Sequence, residues 1–438
     1  MSSADGIRLG FLGLGTVGAG ALAALQEEHE AITRRVGAEL IAVRAAVRRP
    51  DRPRPVSLDG ITLSTDPVAV ATADDVDIVV ECIGGVTVAR EAVLAAMAAG
   101  KSVVTANKEL IAKHSRELFD LADRHGVDLA FEGSVGGGIP IVQPLRHGLT
   151  ANRVKQVVGI INGTTNYILS AMTRSGESFE QLLSEAQAKG YAEADPTDDV
   201  DGHDAAYKLT ILAMLAFDTP LSEDQVYREG IRRITPADMA LARSLGYRFK
   251  LLAIARDRGA KLELRVHPCL VPESHPLAAV NDVYNAIFVS ASPVGEVMFY
   301  GRGAGADPTG SAVAGDVIQV ARNLRGGGVR GFPLACGTPR AVATVDEIES
   351  SYYVRMKVVD QAGVLAVLAG ILGKNLVSIA QVLQTRGEPG DAAEQVAELV
   401  WVTHETTEAR LRRSLAEING LDACLEVRNV FRCFGVDA

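Results

Sequence analysis

The sequence predicts an α/β protein of three units: a parallel-sheet domain, a mixed α+β domain, and a small C-terminal module of βαββαβ order. Three observations predict it. The chain has 438 residues, about three times the ~150 residues that commonly make one domain. Short β-like runs alternate with helical patterns over residues 7 to 131, an alternation that implies βαβ units. Beyond a glycine-rich stretch, "LRGGGVRGF" at 324–332, strand and helix patterns resume in a different order.

The first unit, residues 1–138, opens with the strand "IRLGFLG" and continues with a second, "ELIAVRAAV". "DIVVECIGG" is a later strand that stops at two glycines. "SVVTA" and "VDLAFEG" follow, each after an amphipathic helix ending at Gly100 or Gly126, and glycine is a common helix stop. The second unit, 139–324, starts with a helical stretch, "IPIVQPLRHGL", and passes through "VKQVVGIINGTTNYIL". It then carries four strands between 248 and 300 ("FKLLAIA", "KLELRVHPCLV", "NAIFVSA", "EVMFYG"), the pattern of a mixed or antiparallel sheet. Residues 325–350, with their glycines, Pro333 and Pro339, form a linker. In the third unit, 351–434, "SYYVRMKVVD" is a strand and "GVLAVLAGILGKN" a helix. "LVSIAQVLQT" and "QVAELVWVTH" are strands, "TTEARLRRSLAEI" is a helix, and "ACLEVRNVFRCF" is the last strand. That order is ferredoxin-like.

Composition excludes several function classes. Hydrophobic residues are 47% of the chain and charged ones 22%, enough apolar material for sizeable cores. A net charge of −10 with no Lys/Arg stripe argues against nucleic acid as a partner. The start, "MSSADGIRLGF", lacks the basic-then-apolar layout of a secretory signal, and no apolar run approaches the ~18 residues of a membrane span. Five scattered cysteines without a C-x-x-C pair fit free thiols in a reducing compartment, and eight histidines show no H-E-x-x-H spacing. A cytoplasmic protein with neither nucleic-acid nor membrane partners is expected.

The first functional signal is Gly13-Leu14-Gly15-Thr16-Val17-Gly18, a G-x-G-x-x-G directly after a strand and opening a helix. Glycines let the backbone turn tightly and approach a pyrophosphate, which then rests on the helix N-terminus. In this βα context the motif predicts a Rossmann dinucleotide-binding domain. NAD binders usually end the second strand with an acid for the ribose 2′-hydroxyl, whereas arginine accommodates a 2′-phosphate. Here the strand runs out at Val47 into "RRPDRPRP", with Arg48, Arg49, Arg52 and Arg54. NADP is favoured and NAD is the alternative; a solvated basic loop is the bland reading of the same residues.

The second signal is "YAEADPTDDVDGHDAAYKLTIL", residues 191–212, where Glu193, Asp195, Asp198, Asp199, Asp201 and Asp204 precede a single lysine, Lys208. Lys208, Ile211, Leu212 and Leu215 fall at helical spacing, so the lysine lies on the apolar stripe of its helix, with Asp204 one turn earlier on the same face. The lysine either snorkels to solvent or points into a cleft, where burial lowers its pKa and makes it a usable acid/base. Asp201 or Asp204 could instead cap the helix. In "SVVTANKELIA", Asn107 and Lys108 follow a strand at its carboxyl end, the edge where ligands bind in open α/β sheets, though Asn107 also suits a helix cap. "FEGSVGGGIPI" places Glu132 and three consecutive glycines after another strand, a backbone that can offer carbonyls to a cation.

The glycine turn, "TANKEL", "FEGSVGGGIPI", "INGTTNYIL", "GYAEADPTDDVDGHDAAYKL" and "YGRGAGADPTGSAVAGDVI" occur in this order. Together they resemble homoserine dehydrogenase in its bacterial form with an appended ACT domain, over nearly the whole chain. The resemblance implies reversible NAD(P)H-dependent reduction of L-aspartate 4-semialdehyde to L-homoserine, on the route to threonine, isoleucine and methionine. It implies Lys208 as proton donor and acceptor with Asp204 beside it, and Glu193 as holder of the substrate ammonium with Asp199 in the same loop. Lys108 would stand at the cofactor–substrate junction and Gly303 against the cofactor. Glu132, Val135, Gly137 and Ile139 would form a monovalent-cation site, for Na+. It further implies a homodimer or homotetramer and an ACT module at 351–434 with threonine as effector; "VVDQAGVLAVLAGILGKNLVSIA" resembles the ACT signature, and the alternative is a module that only adds dimer contacts. Two other readings compete with this one. An aldehyde-oxidising dehydrogenase would need Cys82 as nucleophile, and a non-catalytic amino-acid sensor would not need both Lys108 and Lys208.

Overall fold

A computed structural model of the protein describes residues 6–326, 337–386 and 396–435. The glycine-rich middle of the expected linker, residues 327–336, lies outside them. Six parallel strands form the first sheet: β1 (Ile7–Leu12), β2 (Leu40–Ala46), β3 (Thr62–Ser64), β4 (Ile78–Glu81), β5 (Ser102–Thr105) and β6 (Leu129–Ala130). Their spatial order, β3-β2-β1-β4-β5-β6, reverses direction between β1 and β4, the place where doubly wound sheets leave a crevice for a ligand. Central strands covered on both faces read as continuous apolar runs, and Ile78, Val79 and Val80 are fully buried. The connecting helices are α1 (Thr16–Glu27), α2 (His29–Val36), α3 (Pro67–Thr72), α4 (Thr87–Ala98) and α5 (Lys108–His125). Gly126 takes the left-handed conformation that ends α5, as its position in the sequence predicts.

The middle of the chain departs from expectation at its start. "IPIVQPLRHGL" is not a regular helix; it holds only one wide turn, a π-helix at Pro144–Gly148, because Pro144 has no N–H to continue an α-helical ladder. Then come β7 (Arg153–Ile160), α6 (Gly163–Ser175), α7 (Phe179–Ala188), α8 (Thr197–Val200), α9 (His203–Phe217), β8 (Tyr227–Arg228) and α10 (Pro236–Ser244). The four expected strands follow as β9 (Tyr247–Asp257), β10 (Lys261–Pro272), β11 (Tyr284–Ser292) and β12 (Gly295–Arg302). They are antiparallel, with β7 inserted between β11 and β9. The next helix, α11 (Ala306–Arg325), returns to the first unit: Val313, Ala314, Val317, Val320 and Ala321 share a core with Phe11, Leu22 and Leu25. The division drawn at 324 in the sequence therefore does not follow the packing of this helix.

After β13 (Ala341–Val342) the C-terminal unit runs β14 (Glu349–Val359), α12 (Val364–Lys374), β15 (Ile379–Arg386), β16 (Val396–Thr403), β17 (Thr406–Thr407), α13 (Glu408–Asn419) and β18 (Cys424–Cys433). Its four main strands lie in the order β18-β14-β16-β15 and continue the middle sheet, because β18 pairs parallel with β10 at Cys269↔Arg432 and Leu270↔Cys433. The two units also share a core: Phe249 on β9 meets Phe431 edge-on with ring centroids 5.0 Å apart, and Tyr353, Val400 and Val402 belong to the cluster that lies under α9. A buried polar seam completes the join. Arg355 on β14 donates to Glu398 at 2.6 Å and to Asp238 on α10 at 3.4 Å, and Asn429 donates to Asp238 at 2.7 Å. No helix among the described residues is long and apolar enough to cross a membrane.

Candidate active site

The glycine turn adopts the form its sequence predicts. Gly13 has φ +95°, and a Cβ on Gly18 would lie 2.1 Å from the Gly13 carbonyl oxygen, so neither position admits a side chain. Gly15 is the N-cap of α1, with no side chain capping the helix and no acid in its first turn. The N–H groups of that turn therefore remain for an anion. The Gly13 N–H donates to the Ala46 carbonyl at 2.9 Å, which sets the end of β2 and the arginine loop beside the turn. Arg54 folds back to donate to the carbonyls of Arg49 at 2.9 Å and Arg52 at 2.8 Å. Arg48 and Arg49 stay exposed, and their guanidiniums have no partner among the described residues.

Where the first and middle units meet, three charged side chains converge. Asn107 caps α5, accepting from the Leu110 N–H at 3.0 Å, and so starts the helix with Lys108 at the carboxyl end of β5. The Lys108 ammonium bonds to one carboxylate oxygen of Asp204, and Lys208 holds the other at 2.6 Å. Asp204 caps nothing, since Gly202 is the N-cap of α9; its carboxylate is turned inward and buried, with 5% of its side chain exposed against 12% for Lys208 and 41% for Lys108. Lys208 also donates to the Ile161 carbonyl at 2.9 Å. Burial opposes ionisation of Asp204, but the two adjacent ammoniums outweigh it and hold its carboxyl well below the usual range. Burial lowers Lys208, with Lys108 adding to the effect and Asp204 opposing it. For Lys108 burial also pulls down, yet Asp204 prevails and raises it. The site thus holds a carboxylate and a lysine that each favour the charged form of the other, beside a second lysine shifted toward neutrality.

Asn162 is the member that sequence reasoning left without a role. Its amide nitrogen donates to Asp199 at 2.7 Å and to Asp204 at 3.0 Å, joining the acidic loop to the lysine pair, while its oxygen caps α6 through the Thr165 N–H at 2.9 Å. The available signal was an Asn directly before a helical run, which announces a cap and nothing more. Glu193 stands apart: it is exposed, its carbonyl accepts from Gln187 at 3.0 Å, and its carboxylate bonds to no described residue. Cys82 makes a poor nucleophile, because burial and the neighbouring Glu81 push its thiol up, which counts against an aldehyde-oxidising chemistry.

The "EGSVGGGIPI" turn is held from inside. The Glu132 carboxylate accepts from the N–H groups of Ile141, Val142 and Gln143 at 2.6, 2.8 and 2.7 Å, and burial still raises its pKa. The Glu132 N–H donates to Asp316 on α11 at 2.7 Å, and burial pushes the Asp316 carboxyl up to about 7. Val135, Gly137 and Ile139 are buried, and their carbonyls accept no hydrogen bond from the described residues, a donor-poor state that suits a cation. Gly137 lies against Gly303: a Cβ on Gly137 would sit 2.4 Å from the Gly303 carbonyl. Among the described residues no group of three or more His, Cys, Asp or Glu side chains could hold a metal ion.

Comparison with known proteins decides the family. Residues 140–318 match the family model for homoserine dehydrogenase, and residues 13–132 match that for the homoserine dehydrogenase NAD-binding domain. A homoserine dehydrogenase of Neisseria gonorrhoeae is 44% identical over 425 residues, 96% of each chain. The chain belongs to the homoserine dehydrogenase family. The crystal structure of a homoserine dehydrogenase from Thiobacillus denitrificans superposes with a TM-score of 0.91 at 42% identity, covering 98% of both chains. A hyperthermophilic archaeal homoserine dehydrogenase, solved in complex with NADPH, gives a TM-score of 0.60 at 26% identity over 72% of this chain and 98% of its own. Homoserine dehydrogenase is an oxidoreductase acting on a CH–OH group with a nicotinamide dinucleotide, and the six-stranded sheet with its glycine turn is the domain that binds that cofactor.

Proposed function

We propose that the protein interconverts L-homoserine and L-aspartate 4-semialdehyde, and the carrying observation is the Lys108–Asp204–Lys208 linkage at the junction of the two units. The nicotinamide, when bound, takes up or supplies the hydride. The chain's own residues do the rest. Lys208 receives the hydroxyl proton of homoserine or returns it to the aldehyde oxygen. Asp204 fixes the orientation of that ammonium, and Lys108 contributes positive charge beside the reacting oxygen. Glu193 and Asp199, in the same acidic loop, neutralise the substrate ammonium. NADP is the preferred dinucleotide: Arg48 and Arg49 are exposed and unpaired beside the turn where a 2′-phosphate would sit, and an archaeal relative was solved with NADPH. A monovalent cation, Na+, would be held by Glu132 together with the carbonyls of Val135, Gly137 and Ile139, and would stiffen the backbone facing Gly303. The C-terminal unit is read as an ACT module that binds threonine as end product of the pathway, in a chain that assembles as a homodimer or homotetramer.

The deciding experiment follows NADPH absorbance with L-aspartate 4-semialdehyde, with and without threonine, and the reverse reaction with L-homoserine. No turnover in either direction would end the substrate assignment. Turnover without threonine inhibition or calorimetric threonine binding would leave the module a dimerisation element.

A further inference from the structure

The segment from Tyr227 to Asp238 is gripped from two sides, and we propose that it is a strut through which the C-terminal unit positions the substrate-binding acid loop, with Glu229 and Arg232 as positioning residues. The inference rests on the reading of that loop given above. On the C-terminal side, Arg432 is 3% exposed. Its guanidinium pairs with Glu229 at 2.9 Å and with Glu408 at 2.8 Å, over the ring of Tyr227 at 4.9 Å. Tyr227 donates its hydroxyl to the same Glu229 carboxylate. Further along, Asn429 donates to the Arg233 carbonyl at 3.2 Å and Arg355 to the Thr235 hydroxyl at 3.1 Å.

The other side of the segment meets the acidic stretch. The Ile231 N–H donates to the Val200 carbonyl at 2.9 Å, and Arg232 binds both oxygens of Asp201, at 2.7 and 3.0 Å. Between these contacts the backbones touch: a Cβ on Gly230 would lie 2.4 Å from the Val200 oxygen and 2.7 Å from the Asp201 Cα. Val200 ends α8, the turn that carries Asp198 and Asp199, and Asp199 shares Asn162 with Asp204. From Arg432 to the Lys208 pair the contacts are direct at each step. The bidentate Arg232–Asp201 pair fixes angle as well as distance. Contiguity alone does not prove coupling, so the strut must be cut at each end and at both.

Steady-state kinetics of the full chain make that test. Glu229→Gln and Arg232→Gln should each raise the KM for homoserine roughly 5- to 10-fold, the lower range of coupling between sites, with kcat and the cofactor KM little changed. Arg232→Lys should recover part of the loss. The double variant should be no worse than the poorer single one, because a strut cut twice is no looser than one cut once. Multiplying effects, an unchanged homoserine KM, or homoserine and cofactor KM rising together with a lower Tm would overturn the proposal. Hydrogen exchange of the amides at 197–204 gives a readout independent of substrate: it should speed up in Glu229→Gln, and unchanged exchange would also overturn the strut. A wild-type chain that leaves homoserine untouched would instead sink the reading of the site, with exchange still judging the strut.

Discussion

Two ammoniums and an amide around the Asp204 carboxylate favour its ionised form, and the proposed mechanism therefore places the travelling proton on Lys208. If Lys208 is the base in homoserine oxidation, as proposed, it must be neutral to act, so the rate should climb as pH rises through its folded pKa, and the reverse reaction should fall over the same window. Asp204 raises that pKa against the effect of burial. Asp204→Asn removes the opposing charge and is expected to move the midpoint of the oxidation profile to lower pH, besides slowing the reaction; a pH–rate profile with an unmoved midpoint would detach the titration from Lys208. Lys208→Ala should cost kcat roughly 100-fold or more, about 2.7 kcal/mol of barrier, while cofactor affinity measured by fluorescence titration stays the same. Glu193→Gln is expected to raise the KM for homoserine with kcat largely kept, the pattern of lost uniform binding; the same KM would leave the ammonium to Asp199. Asp204 and Lys208 could be paired from the sequence because they stand four residues apart on one helix. Asn162 could not, since its two carboxylate partners lie 37 and 42 residues away.

At the scale of elements, the proposed preference for NADP rests on the arginine loop after β2. Arg54 spends its donors on the loop's own carbonyls, while the Arg48, Arg49 and Arg52 side chains stay exposed; of these, Arg48 and Arg49 are proposed to meet the 2′-phosphate. Replacing both with Ala should weaken NADPH far more than NADH, by roughly 100-fold if each of the two charge-assisted bonds is worth about 1.5 kcal/mol; parallel losses in both Kd values would make the loop mere surface. Strands and amphipathic helices were legible because their periods are local, and so was the glycine turn. Long-range packing was not. Nothing in "ADPTGSAVAGDVIQVARNLR" says that α11 closes the first sheet instead of the second, for its apolar face suits either core. The stretch before β7 failed for a different reason: Pro144 breaks the ladder that its apolar spacing suggests.

Over the whole molecule, the decisive feature is that the middle and C-terminal units share one sheet and one core. A chain ending at residue 326 would strip β18 from β10 and uncover Phe249, which packs on Tyr353 and Phe431. Losing even two such aromatic contacts costs several kcal/mol at the ~25 cal/mol per Å2 of apolar burial, a large part of the 5–15 kcal/mol of a typical fold. The truncated chain is therefore expected to melt at a markedly lower temperature and to lose activity by unfolding; one that melts with the full chain by calorimetry would show the shared core to be dispensable. Threonine sensitivity is accordingly best probed in the intact protein. The return of α11 to the first sheet carries a different consequence, for synthesis on the ribosome. α1 and its partner strands leave the exit tunnel early, but the helix that covers Leu22 and Leu25 is made roughly 290 residues later, a delay of tens of seconds at ~5–20 residues per second. Through that interval the nascent cofactor domain holds an uncovered apolar face, the kind of surface that chaperones bind, so the oldest part of the chain is among the last to be finished.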